Sequence, residues 1–179
     1  AHPFMLWELF DRMDARLAET RQEWAARPSM GVSGFSMGGL WASRWLAEGD
    51  RDPVDAAALV LASADYSFMP RVTIDAFPAL AGAVPDAQLA QLEAAMRAQS
   101  PIRDLRRLPP TRLLTINVED DPRLPRPNAE RFHAALHEAY AHAGESHLVE
   151  TALLPGDEHR FRRAFQQRLV AWFGAALKP

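Results

Sequence analysis

The chain of 179 residues contains no cysteine, and Lys178 is its only lysine. Without cysteine, disulfides, thiolate nucleophiles and cysteine-ligated metal sites are excluded. No apolar run approaches the ~20 residues that a membrane span needs, and the first residues lack the charged-then-apolar profile of a signal peptide. We therefore expect a cytoplasmic protein that needs no cofactor and has no membrane partner.

The charge balance is close to even. Twenty basic and 23 acidic residues give a net charge of −3, which offers no basis for binding nucleic acid or an anionic membrane surface. The length suits one domain with a real core. We expect a single domain over residues 1–179.

Apolar stretches of strand length alternate with stretches of helical periodicity. The pattern predicts strands over residues 30–35, 55–63, 112–118 and 147–154, and helices over 4–26, 40–47, 86–99, 128–143 and 161–177. Strands that alternate with helices favour right-handed crossovers, so we expect an α/β fold: a mostly parallel sheet with helices on both faces. Residues 65–85 look irregular. Bulky apolar residues over about 66–104 indicate either a lid-like insertion above a pocket or ordinary core.

The sequence Gly34-Phe35-Ser36-Met37-Gly38 lies between a predicted strand and a predicted helix. In that context a G-x-S-x-G pattern is typical of a nucleophile at a sharp turn. We expect both glycines to be required because a Cβ atom at either position would clash. The N–H of Met37 would supply one half of an oxyanion hole. The alternative is that the glycines only allow a closely packed turn and that Ser36 has no catalytic role.

An acid is expected where the third predicted strand ends. Asp121 is the candidate in the run from Glu119 to Pro125, with Asp120 as its nearest rival. Asp65, which follows the second predicted strand, would occupy a neighbouring position on the same sheet edge.

Of the six histidines, only His159 follows a predicted strand and precedes a predicted helix at that edge. A histidine there would act as general base and then as general acid. His133 and His137 share a helix face, as half of a metal site without an evident third ligand or, more commonly, as an exposed pair. His137 and His142 are too widely spaced for a zincin box. We therefore expect no metal site.

The elbow Gly34-Phe35-Ser36-Met37-Gly38-Gly39 resembles those of the dienelactone-hydrolase and prolyl-oligopeptidase-like branches of the α/β-hydrolase superfamily. Ser100-Pro101-Ile102 and residues 113–125 resemble the run into that branch's acid loop, with Asn117 and Val118 replacing the usual histidine and glycine. Residues 156–159 match the base loop. The resemblance implies catalytic roles for Ser36, Asp121 and His159, in the chain order of the superfamily.

The implied activity is cofactor-free hydrolysis of small-molecule carboxylic esters through an acyl-enzyme on Ser36. A peptidase or a thioesterase would use the same triad. A non-catalytic binding or assembly module that keeps the fold is an alternative from another class.

The sequence departs from the family before Ser36. Members usually carry several strands there, and a loop after one of them gives the second oxyanion N–H. Here one predicted helix and one predicted strand precede Ser36. Three explanations remain open: further sequence precedes Ala1, which we favour, a partner chain or second copy supplies strands, or the chain is a natural reduced form, either active or inactive.

Overall fold

A computed structural model describes residues 8, 10–13, 15–16, 19, 29–48, 54–77 and 82–177. The described residues between 8 and 19 are helical, and the rest of the helix predicted over 4–26 lies outside the described residues. None of the helices in this described part is both long and apolar enough to cross a membrane.

Strands and helices alternate through the described chain. The strands are β1 (Gly31–Phe35), β2 (Ala56–Val60), β3 (Arg112–Val118) and β4 (Val149–Leu154). The helices that follow them are α1 (Met37–Glu48), α2 (Met69–Ala76), α3 (Asp86–Ala98), α4 (Arg126–His142) and α5 (Arg163–Ala176). The strands form one parallel sheet in the order β1-β2-β3-β4. The predicted parallel α/β sheet is confirmed.

The register places the carboxyl ends of the strands side by side. Phe35 pairs with Val60, Val60 with Ile116, and Val118 with Leu154. The segments that follow β1, β3 and β4 therefore leave the sheet at one edge, and these segments carry Ser36, Asp121 and His159.

Apolar side chains cover the sheet on both faces. One face packs against α1 and α4 through residues such as Leu46, Phe132 and Leu136. The other packs against α5, where Phe165 meets Val60 and Ile116 in a second cluster. A strand buried on both faces needs apolar residues without alternation, which explains the continuous apolar run of β2. In β3 the apolar residues are interrupted by Thr115 and Asn117, which are buried as well. The prediction of helices on both faces is confirmed.

The structure corrects several predicted boundaries. Residues 69–76 form a helix inside the segment predicted to be irregular; Pro70 lies in its first turn, where proline is tolerated. The helix predicted over 86–99 begins at Asp86 as predicted and ends at Ala98, one residue early. β2 ends at Val60 because Leu61 has a left-handed φ of 49°. α4 begins at Arg126, ahead of the predicted 128.

Candidate active site

Ser36 occupies the turn between β1 and α1. Its φ is 52°, in the left-handed region that a serine adopts only with strain. Its N–H donates to the Val60 carbonyl at 2.9 Å, and its carbonyl accepts from the Gly39 and Leu40 N–H groups at 2.9 and 3.0 Å. These bonds at both ends of the turn hold the serine in its strained conformation.

The glycines of this turn have unequal steric roles. A Cβ on Gly34 would lie 2.3 Å from the Gly38 carbonyl oxygen, and one on Gly39 would lie 2.4 Å from the Ala62 Cβ. A Cβ on Gly38 would meet nothing within 4 Å. The expectation that Gly34 and Gly38 are both sterically required is wrong for Gly38. Strand β1 and helix α1 approach each other closely here, and the two glycines that this approach requires are Gly34 and Gly39.

The structure brings Ser36, His159 and Asp121 together. Ser36 Oγ lies 2.7 Å from His159 Nε2, and His159 Nδ1 lies 2.8 and 2.9 Å from the two Asp121 carboxylate oxygens. With its Nδ1–H donating to the carboxylate, a neutral His159 has an Nε2 lone pair that accepts from the serine hydroxyl.

Asp121 is enclosed by its own loop. Its side chain is 0% exposed and that of His159 is 9% exposed. One carboxylate oxygen also accepts the backbone N–H groups of Arg123 at 2.7 Å and Leu124 at 3.0 Å. These donors fix the direction of the carboxylate, which in turn fixes the imidazole.

The acid and base loops are joined by backbone hydrogen bonds. The Glu119 N–H donates to Leu154 and the Asp120 N–H to Gly156, each at 3.0 Å. Gly156 has a φ of 143°, and a Cβ there would lie 2.5 Å from the Arg162 guanidinium. Asp120, the nearest rival for the acid, is exposed.

Asp65, the other rival, is 2% exposed and engaged elsewhere. It accepts from the Ser67 N–H at 3.0 Å, Asn128 Nδ2 at 3.1 Å and Arg131 Nε at 2.9 Å. Burial raises the pKa of this carboxyl, but the Ser67 and Arg131 hydrogen bonds outweigh it and leave the pKa below its ordinary value. Asp65 thus ties the segment after β2 to α4.

His133 belongs to the packing between α4 and β3. Its Nε2 lies 2.7 Å from Thr115 Oγ1 and 2.9 Å from Asn117 Oδ1. Burial, with a smaller contribution from His137, lowers its pKa to about 4. The expectation that His133 and His137 form an exposed pair is therefore wrong for His133. The described residues contain no group of three or more His, Asp or Glu side chains arranged to hold a metal ion.

Two further features lie at the site, one expected from the sequence motif and one not. The Met37 N–H opens α1 and is used by none of the described backbone hydrogen bonds. Phe35 packs against the His159 ring with 5.8 Å between centroids, and Phe161 packs edge-on against Phe35 at 5.7 Å. The sequence reasoning did not assign either phenylalanine to the site. Their adjacency in sequence to Ser36 and His159 is the signal that would have found them.

Solved structures with a similar fold share little sequence with this chain. An esterase of Pyrococcus furiosus, Pf2001, is 16% identical with a TM-score of 0.59 over 92% of the chain. A puromycin-hydrolysing peptidase of Mycobacterium tuberculosis is 21% identical with a TM-score of 0.61 over 90% of it. A thermophilic esterase is 17% identical with a TM-score of 0.54 over 94%. At these identities the likeness establishes the α/β-hydrolase fold alone.

The chain spans 61% of the length of the Pyrococcus esterase and 24% of that of the mycobacterial peptidase. No curated protein sequence matches it. A family model, that of the prolyl oligopeptidase family, matches residues 6–179. The resemblance that the Ser36 elbow and the acid loop indicated is confirmed, and the chain belongs to the prolyl oligopeptidase family.

Proposed function

We propose that the protein is a serine hydrolase that cleaves small-molecule carboxylic esters through an acyl-enzyme on Ser36. The observation that carries the proposal is the 2.7 Å contact between Ser36 Oγ and His159 Nε2. Asp121 supports that contact through His159 Nδ1. A serine is a weak nucleophile until an adjacent base takes its proton, and the base works only when a third group orients it.

Each proposed step assigns the protons to named atoms. Ser36 Oγ attacks the ester carbonyl carbon while His159 Nε2 takes the hydroxyl proton. The ester C–O bond then breaks, and Nε2 returns that proton to the departing alkoxide. Water attacks the acyl-enzyme with Nε2 as base, and the carboxylic acid leaves as Ser36 recovers its proton. Asp121 stabilises the imidazolium in each half-reaction.

The Met37 N–H is the proposed donor to the oxyanion. It opens α1, so the partial positive charge of the helix N-terminus adds to its effect. Within the described part of the chain, β1 pairs with β2 on one side and with no strand on the other. We propose that polypeptide pairing with this free edge, from the same protein or from a partner chain or second copy, supplies the second N–H. Loss of one such donor typically costs ~10²–10³ in turnover.

Hydrolysis of short-chain p-nitrophenyl esters by the protein and its Ser36→Ala variant tests the proposal. We expect turnover that disappears in the variant, together with covalent labelling of Ser36 by a fluorophosphonate probe. Equal hydrolysis by both proteins would show that Ser36 is not the nucleophile. Folded protein that neither turns over esters nor reacts with the probe would support the alternative, a non-catalytic module.

Peptide hydrolysis is the second candidate. It is favoured by the family match and by the fold shared with the mycobacterial peptidase. A p-nitrophenyl ester and a p-nitroanilide of the same acyl group would separate the two, because they form the same acyl-enzyme and differ in the leaving group. An esterase should leave the anilide essentially intact, whereas comparable kcat/KM values for the two would favour a peptidase. A matching thioester extends the comparison to thioesterase activity.

A further inference from the structure

A row of aromatic rings runs from the core to the candidate base. Phe165, buried against the sheet, meets Phe161 edge-on at 6.2 Å between centroids. Phe161 meets Phe35 at 5.7 Å, and Phe35 meets the His159 ring at 5.8 Å. Phe35 and Phe161, here called the aromatic pair, are nevertheless 38% and 46% exposed. The row is anchored in the core at one end and opens to solvent beside His159.

The position of the pair determines what part of a substrate would reach it. To protonate a leaving oxygen, His159 Nε2 must come within about 2.6–3.2 Å of it. The Phe35 centroid is 5.8 Å from that of the imidazole, so a group the size of a phenyl ring on the leaving oxygen is long enough to reach the pair. Two adjacent exposed rings gain free energy when an apolar group covers them, and edge-to-face contacts favour a flat one.

We propose that the aromatic pair is a binding site for the leaving alcohol, and that the preferred substrates are esters of alcohols carrying a flat apolar group. The inference rests on the proposed serine hydrolase function and adds its substrate class. In acylation the bond from Ser36 Oγ to the carbonyl carbon forms and the ester C–O bond breaks. Nε2 then gives the alkoxide the proton that it took from Ser36, and the pair holds the alcohol through this step.

Two acetates differing only in the alcohol isolate the effect. Ethyl and 2-phenylethyl acetate give the same acetyl-enzyme, and their alcohols are of similar acidity, so a difference in kcat/KM reports binding at the leaving-group side. We expect the full-length protein to prefer the phenylethyl ester. Phe161→Ala should lower that preference on the order of ten-fold, the scale of a small apolar contact in an enzyme pocket.

Matched variants separate the ring from general effects. Phe161→Tyr keeps the ring and should retain most of the preference, whereas Phe161→Leu, which tests the same point if the alanine variant does not fold, should lose part of it. Val170→Ala removes another exposed apolar side chain, in the middle of α5. That control should leave the preference unchanged.

The outcomes distinguish a failure of the leaving-group site from a failure of the proposed serine hydrolase function. A loss confined to the phenylethyl ester supports the leaving-group site. An unchanged preference in Phe161→Ala, with Ser36 still labelled by a fluorophosphonate, overturns the site and leaves the serine hydrolase standing. An equal loss for both esters with a lower melting temperature means that Phe161 supports the fold and not the leaving group, which also overturns the site. Absence of both labelling and hydrolysis refutes the proposed function, and the site with it.

Discussion

Asp121 and Asp65 are both buried carboxylates near the carboxyl ends of neighbouring strands, and their replacement by asparagine should have opposite effects. Asp121→Asn should lower kcat by about 10⁴-fold, because an amide no longer holds His159 in the tautomer that accepts the serine proton. Its stability should change little. The amide oxygen can still accept the Arg123 and Leu124 N–H groups, which now bond to one carboxylate oxygen.

Asp65→Asn should instead lower stability and leave activity within a few-fold. It removes the charge that receives Arg131 Nε at 2.9 Å and Asn128 Nδ2 at 3.1 Å. Breaking a fully buried ion pair costs about 3–5 kcal/mol. The Arg131 side chain is 53% exposed and can turn to water, so the loss should approach that of a charged hydrogen bond, about 1.5–3 kcal/mol.

Urea unfolding followed by circular dichroism measures the stability change, and kcat/KM for a p-nitrophenyl ester measures the catalytic change. Asp120→Asn is the matched control. It alters an exposed carboxyl, while the backbone N–H that joins it to Gly156 is kept, and both quantities should stay near wild type. The assignment of the acid is refuted if Asp65→Asn abolishes hydrolysis in a folded protein while Asp121→Asn remains active.

Four further perturbations test the burial of His133 and the turn around Ser36. The pKa of His133 is about 4 in the fold against 6.5 ordinarily, so the unfolded chain protonates first. The stability present above pH 6.5 should fall by up to about 3 kcal/mol as the pH drops towards 4, and His133→Gln should flatten that dependence in urea titrations. Gly39→Ala should cost about 1–3 kcal/mol through its contact with Ala62. Gly38→Ala, with open space at its Cβ, should be neutral or stabilising in thermal unfolding. Ser36 has a left-handed φ, so the Ser36→Gly variant should be more stable than Ser36→Ala by about 1 kcal/mol and should melt at a higher temperature.

Local patterns predicted most of the sheet because apolar and small residues outnumber polar ones in each short strand, and polar or turn residues lie beside it. β3 was predicted with its observed bounds, from Arg112 to Val118. Parallel strands end at one edge of a sheet. The position of Ser36 after β1 and of His159 after β4 was therefore enough to predict that the two are neighbours, and the structure brings them together.

The remainder depends on contacts that no local pattern encodes. Asp65 meets Arg131, 66 positions further along the chain, and twenty basic residues offered no way to choose that partner. The burial of His133 depends on how α4 is rotated over β3, because Thr115 and Asn117 on that strand face supply its partners. The short α2 spans eight residues and has no buried residue, so it is too short for a helical period to be distinguished from an irregular apolar segment.

The choice among adjacent acidic residues follows from how β3 ends. The Glu119 and Asp120 N–H groups continue the pairing with the β4 side by donating to Leu154 and Gly156. While the chain stays extended, successive side chains point in opposite directions. The side chain of Asp120 lies on the exposed side. At Asp121 the chain leaves this pairing and turns, and the N–H groups of the next two residues fold back onto the carboxylate. The proposed acid is thus the residue at which extended pairing gives way to a turn. The backbone bonds from Glu119 and Asp120 to Leu154 and Gly156 hold the loop that carries His159 beside this turn. The distance between Asp121 and His159 is therefore set by the end of the sheet itself.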